Sequence, residues 1–541
     1  MRLRQRLPAL SPNRLVMLFA ALLVAFYNVE AWGALVQLIQ LTGVKRILFE
    51  VSFAVLLWSA FCLLLLPFSF RPLLRPVISL VAITAALAAY FMNDYGISID
   101  RVMMQNVMET DAGEVGALIS AKMAAYVLLL GVLPAALAWY WPVRYRPVLH
   151  GLLTKLALAF SASVLLVLSV VSFYSTYAPV FREPDKLTHF INPTNYLYAT
   201  ARTASEKLVL ERKTVVQPIA ADATRAATGQ RKKLMIFVVG ETARADHFGL
   251  NGYPRPTTPE LAKLDILNFT QVHSCGTSTA VSVPCMFSMF PRKEYSDKKG
   301  KSFESLLDVL QRTGMKVLWL ENNSDCKGVC LRVPHQDIPK TQPSPFCDGK
   351  RCLDESLLVG LQPYIDRLDE DTLIVLHSDG SHGPEYYDRY PADQEVFKPV
   401  CHTNQLGSCT PQELQNVYDN TIHYTDHFLA QVIGLLKQNQ QRFDTSLWYV
   451  SDHGESLGEN GVYLHAAPYA IAPEAQTHVP MVLWFGQGTL ADAGLDRGCL
   501  EGRQNQAGLS HDYVFHSLLG WFNVSTSLYQ APLDLFAGCK R

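Results

Sequence analysis

Cysteine is scarce in the first half of the chain. Cys62 is the only one of 11 before residue 270, so that half can hold no disulfide of its own. Charge is scarce as well: 18% of residues are Asp, Glu, Lys or Arg, against 49% hydrophobic. At 541 residues, that balance is too long and too apolar for one ordinary soluble domain. A formal net charge of −1, with no basic run outside the loops between apolar segments, excludes the electrostatic footprint of a nucleic-acid binder. Apolar runs of bilayer length are missing after residue 175, which confines any membrane-spanning part to the first third.

That first third holds five such runs, at residues 15–38, 48–68, 77–92, 123–141 and 152–173. The first follows Arg2, Arg4, Arg6 and Arg14 but is long, has no clear small-residue cleavage site and precedes further runs, so it reads as a retained helix and not a signal peptide. Arg71 and Arg75, and then Arg144, Arg146 and Lys155, mark alternate loops as cytoplasmic together with the N-terminus. The opposite loops carry only Lys45, Arg46, Arg101 and Lys122. Five spans, the third of them short, then place everything after residue 173 on the far side of the membrane.

The cysteines give an independent reading of the compartment. The ten after residue 270 fall as Cys275/Cys285, Cys326/Cys330, Cys347/Cys352 and Cys401/Cys409, with Cys499 and Cys539 far apart. An even set confined to the exterior portion predicts five disulfides in an oxidising compartment, paired in that order with Cys62 free. Gaps of four, five, eight and ten do not match zinc-finger spacing. Short loops gain little entropy from closure, so the Cys275–Cys285 bridge is expected to pin a local geometry.

Residues 174–230 are mixed in charge without a strong core pattern and read as a bridge. From Lys233 onward, short apolar runs (LMIFVV, VLWL, LIVLH, SLWYVS, MVLWF) alternate with helical ones (SFESLLDVLQRT and residues 414–437), which predicts a mostly parallel sheet covered on both faces. Ligands of such sheets bind beyond the strands' carboxyl ends. At those ends stand Glu241 in GETARAD, Asp452 and His453 in SDHGES and His382 in GSHGP, with His465 following in YLHAAP. Singly, each reads equally well as a helix cap, an Asx turn or a surface imidazole. Jointly, they are the donor types that zinc prefers.

Between Cys275 and Cys285 lie four hydroxyls, Thr277, Ser278, Thr279 and Ser282. A divalent cation can deprotonate such a hydroxyl and aim it at phosphorus, and a helix N-terminus beside it would receive phosphate oxygens. Plain helix capping explains the same residues. Residue chemistry alone does not choose among the four.

The stretches VVGETARADHFGLNGYPR, CGTSTAVSVPCMFS, NNSDCKGVC, GSHGP and SDHGESLGENGVYLH together resemble the phosphoethanolamine transferases that modify lipid A, the group that includes the mobile colistin-resistance enzymes. The resemblance runs along essentially the whole chain. It implies a five-helix transmembrane domain (1–173, N-terminus cytoplasmic), a periplasmic bridging linker (174–230) and a periplasmic catalytic α/β domain of the alkaline-phosphatase/sulfatase-like fold (231–541), in the bacterial inner membrane. It also implies that Thr279, the second threonine of CGTxT, is the nucleophile. Zn²⁺ is expected on Glu241, Thr279, Asp452 and His453, with a second ion left open. Asn323, Lys327, His382 and His465 match substrate-pocket or second-metal positions. Asn106, Thr110 and Glu114, in NVMETDAGE, match positions of donor-lipid contact, although a polar loop explains them nearly as well.

The implied reaction passes phosphoethanolamine from phosphatidylethanolamine to Thr279 and then to a phosphate of lipid A. This would reduce negative surface charge and protect against polymyxin-type peptides. A monomer is expected. Transfer to another envelope glycan or core sugar, or a metal-dependent phosphatase of the same superfamily, are the alternatives. A sulfatase is disfavoured because CGTSTAVSVPC lacks the arginine of a formylglycine signature. A non-catalytic sensor is disfavoured because none of Thr279, Glu241, Asp452 and His453 is lost. Asp379, three positions before His382, departs from the family's uncharged residue. It is expected to point to solvent, the other readings being an effect on His382 or on a second cation.

Overall fold

Hydrophobic length builds the first part of the chain into helices. A computed structural model describes residues 7–39, 41–110, 112–174, 176–177, 185–213, 216–226, 231–341 and 344–540. Among these, four helical stretches are long and apolar enough to cross a membrane: Gly43–Phe68, Leu74–Tyr95, Ala121–Tyr140 and Val148–Ser172. The run expected to be one straight first span is instead a pair, Pro12–Phe26 and Val29–Val36, bent by 56°, so five spans are reached only if that pair counts as one. The break falls at Asn28, whose amide donates to Leu23 O (3.0 Å) and Asn192 O (2.7 Å) while its own oxygen accepts from Asn192 N (2.9 Å). A polar side chain that captures carbonyls inside an apolar packing makes a helix break tolerable there. The third helix is longer than its apolar run because it continues to Tyr95, where Gly96 takes the left-handed cap conformation at φ 65°.

The chain divides into two compact units, Met1–Met104 with Ile119–Arg202, and Gln105–Leu118 with Thr203–Arg541. The second is built on a sheet of eight strands: β1 (Lys232–Gly240), β2 (Ile266–His273), β3 (Lys316–Glu321), β4 (His335–Asp337), β5 (Thr372–His377), β6 (Phe443–Ser451), β7 (His478–Phe485) and β8 (Leu509–Ser510). Their order across the sheet is β8-β2-β7-β6-β1-β5-β3-β4, and β7 alone runs against its neighbours. β1, β5 and β6 are central and almost wholly buried, which is why they read as unbroken apolar runs.

Register decides what emerges together. Val239 lies opposite His377 and Gly240 opposite Ser451, while Glu321 of β3 lies opposite His377. The residues that follow β1, β3, β5 and β6 therefore leave the sheet at one level and on one edge. The 29-residue helix Pro411–Asn439 starts at a Thr410/Glu413 capping box and covers β6. The other face carries a core of Phe237, Trp448, Trp319 and Phe287, all buried. Five disulfides join Cys275–Cys285, Cys326–Cys330, Cys347–Cys352, Cys401–Cys409 and Cys499–Cys539, and Cys62 is free and buried.

Candidate active site

Three residues from two strand exits, those of β1 and β6, converge on one point. The facing ligand atoms of Glu241, Asp452 and His453 lie within 4.8 Å of one another. His453 Nε2 is 3.3 Å from Glu241 Oε1 and 3.4 Å from Asp452 Oδ2. The imidazole is turned that way because Nδ1 bonds to Gly454 O at 2.8 Å, leaving Nε2 to face the carboxylates. Asp452 Oδ1 accepts from the backbone N–H groups of His453 (2.7 Å) and Thr242 (3.3 Å). Gly380, at φ 50°, lets the loop after β5 press on the Glu241 backbone, where a Cβ would stand 2.7 Å from Glu241 O.

The disulfide loop sorts its hydroxyls. Gly276 can tuck under the helix Thr279–Met286 because a Cβ there would meet Val281 Cβ at 2.9 Å. Ser282 Oγ then accepts from Gly276 N (2.8 Å), and Thr277 Oγ1 donates to Ala467 O (2.6 Å). Ser278 Oγ is buried without a partner. Thr279, first residue of the helix, donates to Glu241 Oε2 at 3.1 Å and lies 3.4 Å from His453 Nε2. It alone of the four bonds to the cluster.

Glu241 Oε1 and Asp452 Oδ2 are buried and make no well-formed hydrogen bond; both face the one His453 Nε2, at 3.3 and 3.4 Å. Two buried carboxylates that share a single imidazole are only partly compensated, and their ligand atoms face a common point. Burial pushes Asp452 up to about 7, and the neighbouring Glu241 charge adds to the rise. Burial alone would raise Glu241 too, but the bond to His453 outweighs it and holds that carboxyl below the ordinary range. Burial pulls His453 down, yet Asp452 and Glu241 carry it up to about 10. A cation set among these groups would displace the protons they share. The donor set, two carboxylates, an imidazole and a hydroxyl, fits zinc's four-coordinate chemistry.

Around this centre, Asn323 Nδ2 donates to Glu241 Oε2 (2.7 Å) and to Ser378 O (3.0 Å). The rings of His453 and His465 are 4.5 Å apart, and those of His465 and His382 are 5.3 Å apart. Burial lowers the His465 pKa, with Glu455 pulling the other way. Lys327 sits at φ 50° in its disulfide loop with its side chain 6% exposed, bonded to Ser324 Oγ (2.8 Å) and paired with Asp325 (3.4 Å), not with the cluster. Asn106 and Thr110 bond to each other, Thr110 Oγ1 donating to Asn106 O at 2.6 Å. The side chain of Glu114 lies outside the described residues.

Asp379 does not point to solvent as expected. Its side chain is 20% exposed and forms an ion pair with Arg389, because the backbone N–H groups of Asp379 (2.7 Å) and Gly380 (3.0 Å) are tied to buried Asp354. Sequence reasoning also missed His511 and the pair Glu321–His377. His511 Nδ1 accepts from Cys275 N (3.1 Å) and its Nε2 donates to Ser451 O (2.9 Å), joining the disulfide loop to the end of β6. Glu321 accepts from Asn323 N (2.8 Å), Trp319 Nε1 (2.9 Å) and His377 Nδ1 (2.9 Å). His511 follows a strand of two residues, too short to register as a period.

A sheet with one reversed strand, carrying carboxylates, an imidazole and a hydroxyl at its carboxyl edge, defines a domain of the sulfatase/alkaline-phosphatase type, and the Sulfatase family model matches residues 233–524. The model for phosphoethanolamine transferase EptA/EptB matches residues 57–208. The chain is 40% identical to phosphoethanolamine transferase EptA of Salmonella typhimurium, over 99% of this chain and 98% of that one. It is 39% identical to phosphatidylethanolamine transferase Mcr-1 of Escherichia coli, over 96% of each. The integral membrane lipooligosaccharide phosphoethanolamine transferase A of Neisseria meningitidis superposes with a TM-score of 0.95 at 37% identity, over 99% of this chain and 100% of that one. The chain belongs to the EptA/Mcr family of phosphoethanolamine transferases, and it is an enzyme.

Proposed function

We propose that the chain transfers phosphoethanolamine from phosphatidylethanolamine to a phosphate of lipid A, through a phosphoethanolamine–Thr279 intermediate. One observation carries the reading: of four clustered hydroxyls, only Thr279 bonds to Glu241 and His453, beside two buried carboxylate oxygens that share one imidazole. Glu241, Asp452 and His453 would hold a zinc ion together with Thr279. When bound, that ion supplies charge to lower the hydroxyl's pKa and to neutralise phosphate oxygens.

Thr279 Oγ attacks phosphorus, the bond to the diacylglycerol oxygen breaks, and that oxygen leaves with a proton. A lipid A phosphate oxygen then attacks the same phosphorus, the Thr279 Oγ–P bond breaks, and Thr279 Oγ takes up the proton given up by the acceptor phosphate. Asn323 steadies Glu241, while His382 lines the approach of phosphate oxygens. Donor contacts are assigned to Asn106, Thr110 and Glu114. The apolar helices hold the chain in the inner membrane, where both lipids are concentrated, and five disulfides suit a periplasmic catalytic domain. Masking a lipid A phosphate would weaken polymyxin binding.

The test is to incubate the full-length protein with donor lipid and no acceptor, then map the peptides. One phosphoethanolamine mass is expected on the peptide carrying Thr279 and none in Thr279→Ala. Adduct on Ser282 or Thr277, or transfer with no adduct under trapping conditions, overturns the nucleophile. Mass spectrometry of lipid A from cells with and without the gene reads the acceptor.

A further inference from the structure

Two histidines beside the cluster are held by opposite kinds of partner. His465 Nδ1 faces the buried Glu455 carboxylate at 3.1 Å. A carboxylate only accepts, so the proton of His465 sits on Nδ1 and its Nε2 carries a bare lone pair. His382 Nδ1 instead faces Arg389 Nη2 at 3.4 Å. A guanidinium has donors and no acceptor, so this Nδ1 is the bare nitrogen and the proton of His382 sits on Nε2. Arg389 cannot drift from this arrangement. Its Nε donates to the His382 carbonyl at 2.8 Å, its Nη1 is bonded to Asp379, and its side chain is 8% exposed. Asp379 is anchored in turn through its backbone to Asp354.

On the reading given under Proposed function, we propose that the Asp379–Arg389 pair is a positioning device that holds His382 as an Nε2–H donor for a phosphate oxygen. His382 then serves as an anion donor and not as a cation ligand. Any further cation beside the cluster would be taken by the bare Nε2 of His465. The carboxylate at position 379 thereby acts on the site through Arg389.

The tautomer is read directly by nitrogen NMR of full-length, ¹⁵N-histidine-labelled protein in detergent, free of metal and lipid, with the His382 signals identified by their loss in His382→Ala. The wild type should show Nε2–H at His382. Arg389→Gln should give a mixture of tautomers, and Asp379→Asn, which disturbs the fold less, a smaller shift in the same direction. Arg389→Lys keeps the charge toward Asp379 but cannot bond at two points, so it should fail to restore the wild-type signal, whereas a merely structural ion pair would be rescued. Turnover in Arg389→Gln should fall about tenfold at saturating donor, the factor that goes with one lost, well-aligned hydrogen bond.

A zinc titration supplies the second arm. His465→Ala should weaken any binding beyond the first equivalent and His382→Ala should not. Nδ1–H at His382 in the wild type, an unchanged tautomer in Arg389→Gln, or equal weakening of later zinc equivalents by the two alanine variants overturns the proposal. The tautomer readout does not depend on Thr279, so failure of the transfer reading shows separately, as the missing adduct.

Discussion

Both units bury polar side chains, and they treat them differently. In the helical unit, Asn28 is fully buried at the helix break, yet each of its amide groups is used: its NH₂ bonds to two carbonyls and its oxygen to Asn192 N. In the second unit, Glu241 and Asp452 are equally buried, and one oxygen of each has only the shared His453 imidazole facing it. A satisfied neutral amide is a structural element that makes a break tolerable. Two buried carboxylates with one imidazole between them are a candidate cation site, because a ligand of opposite charge would complete their compensation. The contrast separates residues that hold the fold from residues that wait for a cation, using burial and hydrogen bonding alone.

The sharpest break in that contrast comes from Asp452. Asp452→Ala should lose bound zinc and at least about a thousandfold in transfer together, since a tetrahedral set loses a ligand and the nucleophile its activation. In metal-free protein the same change leaves the buried N–H groups of His453 and Thr242 without their acceptor and removes a contact of the His453 imidazole, so its melting temperature should fall below that of the wild type. Metal analysis, lipid transfer and thermal melts with and without chelator check all three. Full activity after exhaustive chelation would sink the assignment.

Next in size is the clamp around Thr279. Cys275→Ser with Cys285→Ser should lower turnover about a hundredfold, the scale expected when a reacting atom moves by about 1 Å, while zinc stays bound through Glu241, Asp452 and His453. Turnover at wild-type level would leave the bridge with no part in aiming the hydroxyl.

His511 gives a smaller, pH-dependent effect. Burial holds its imidazole down to about 3, with Ser451 O opposing the fall. The unfolded chain therefore binds a proton between about 6.5 and 3 that the folded chain does not, and stability falls as pH falls through that window, by about 1.4 kcal/mol per unit. His511→Asn should flatten the slope of unfolding free energy against pH by about that amount between pH 6 and 4. An unaltered slope would show that His511 titrates normally.

Smallest is Asn28→Ala, which should lower stability by about 1–3 kcal/mol by leaving freed carbonyls unpaired, with turnover per folded molecule unchanged. A variant that folds as stably as the wild type would remove the amide from its structural role.

Much of the site was readable beforehand because its residues stand next to strong local signals. Glu241 follows the run LMIFVV, and Asp452 and His453 follow SLWYVS, so strand exits could be counted off without knowing the sheet order. Asn323 and Lys327 entered only by resemblance, and the structure brings Asn323 onto Glu241 while leaving Lys327 bonded to its own loop. His511 and Arg389 were not readable. His511 acts on Cys275 from 236 positions away, and Arg389 acts on His382 through a pairing with Asp379 that no periodicity announces.

Composition and spacing by themselves determined that the first third is apolar at bilayer length, that the ten late cysteines form a separate set and that metal-type donors stand at strand ends. These are short-range properties, written in runs of about ten to twenty residues. The bend at Asn28, the turning of Asp379 onto Arg389 and the choice of Thr279 over its three neighbours were decided only in three dimensions. Each depends on a partner that lies outside its own element: Asn192 for Asn28, Asp354's hold on the backbone of Asp379, and for the hydroxyls the Ala467 carbonyl that takes Thr277 while strand register brings Glu241 and His453 to Thr279. Hydrogen bonds select by distance and angle, and neither exists until the sheet has set the ends of its strands side by side.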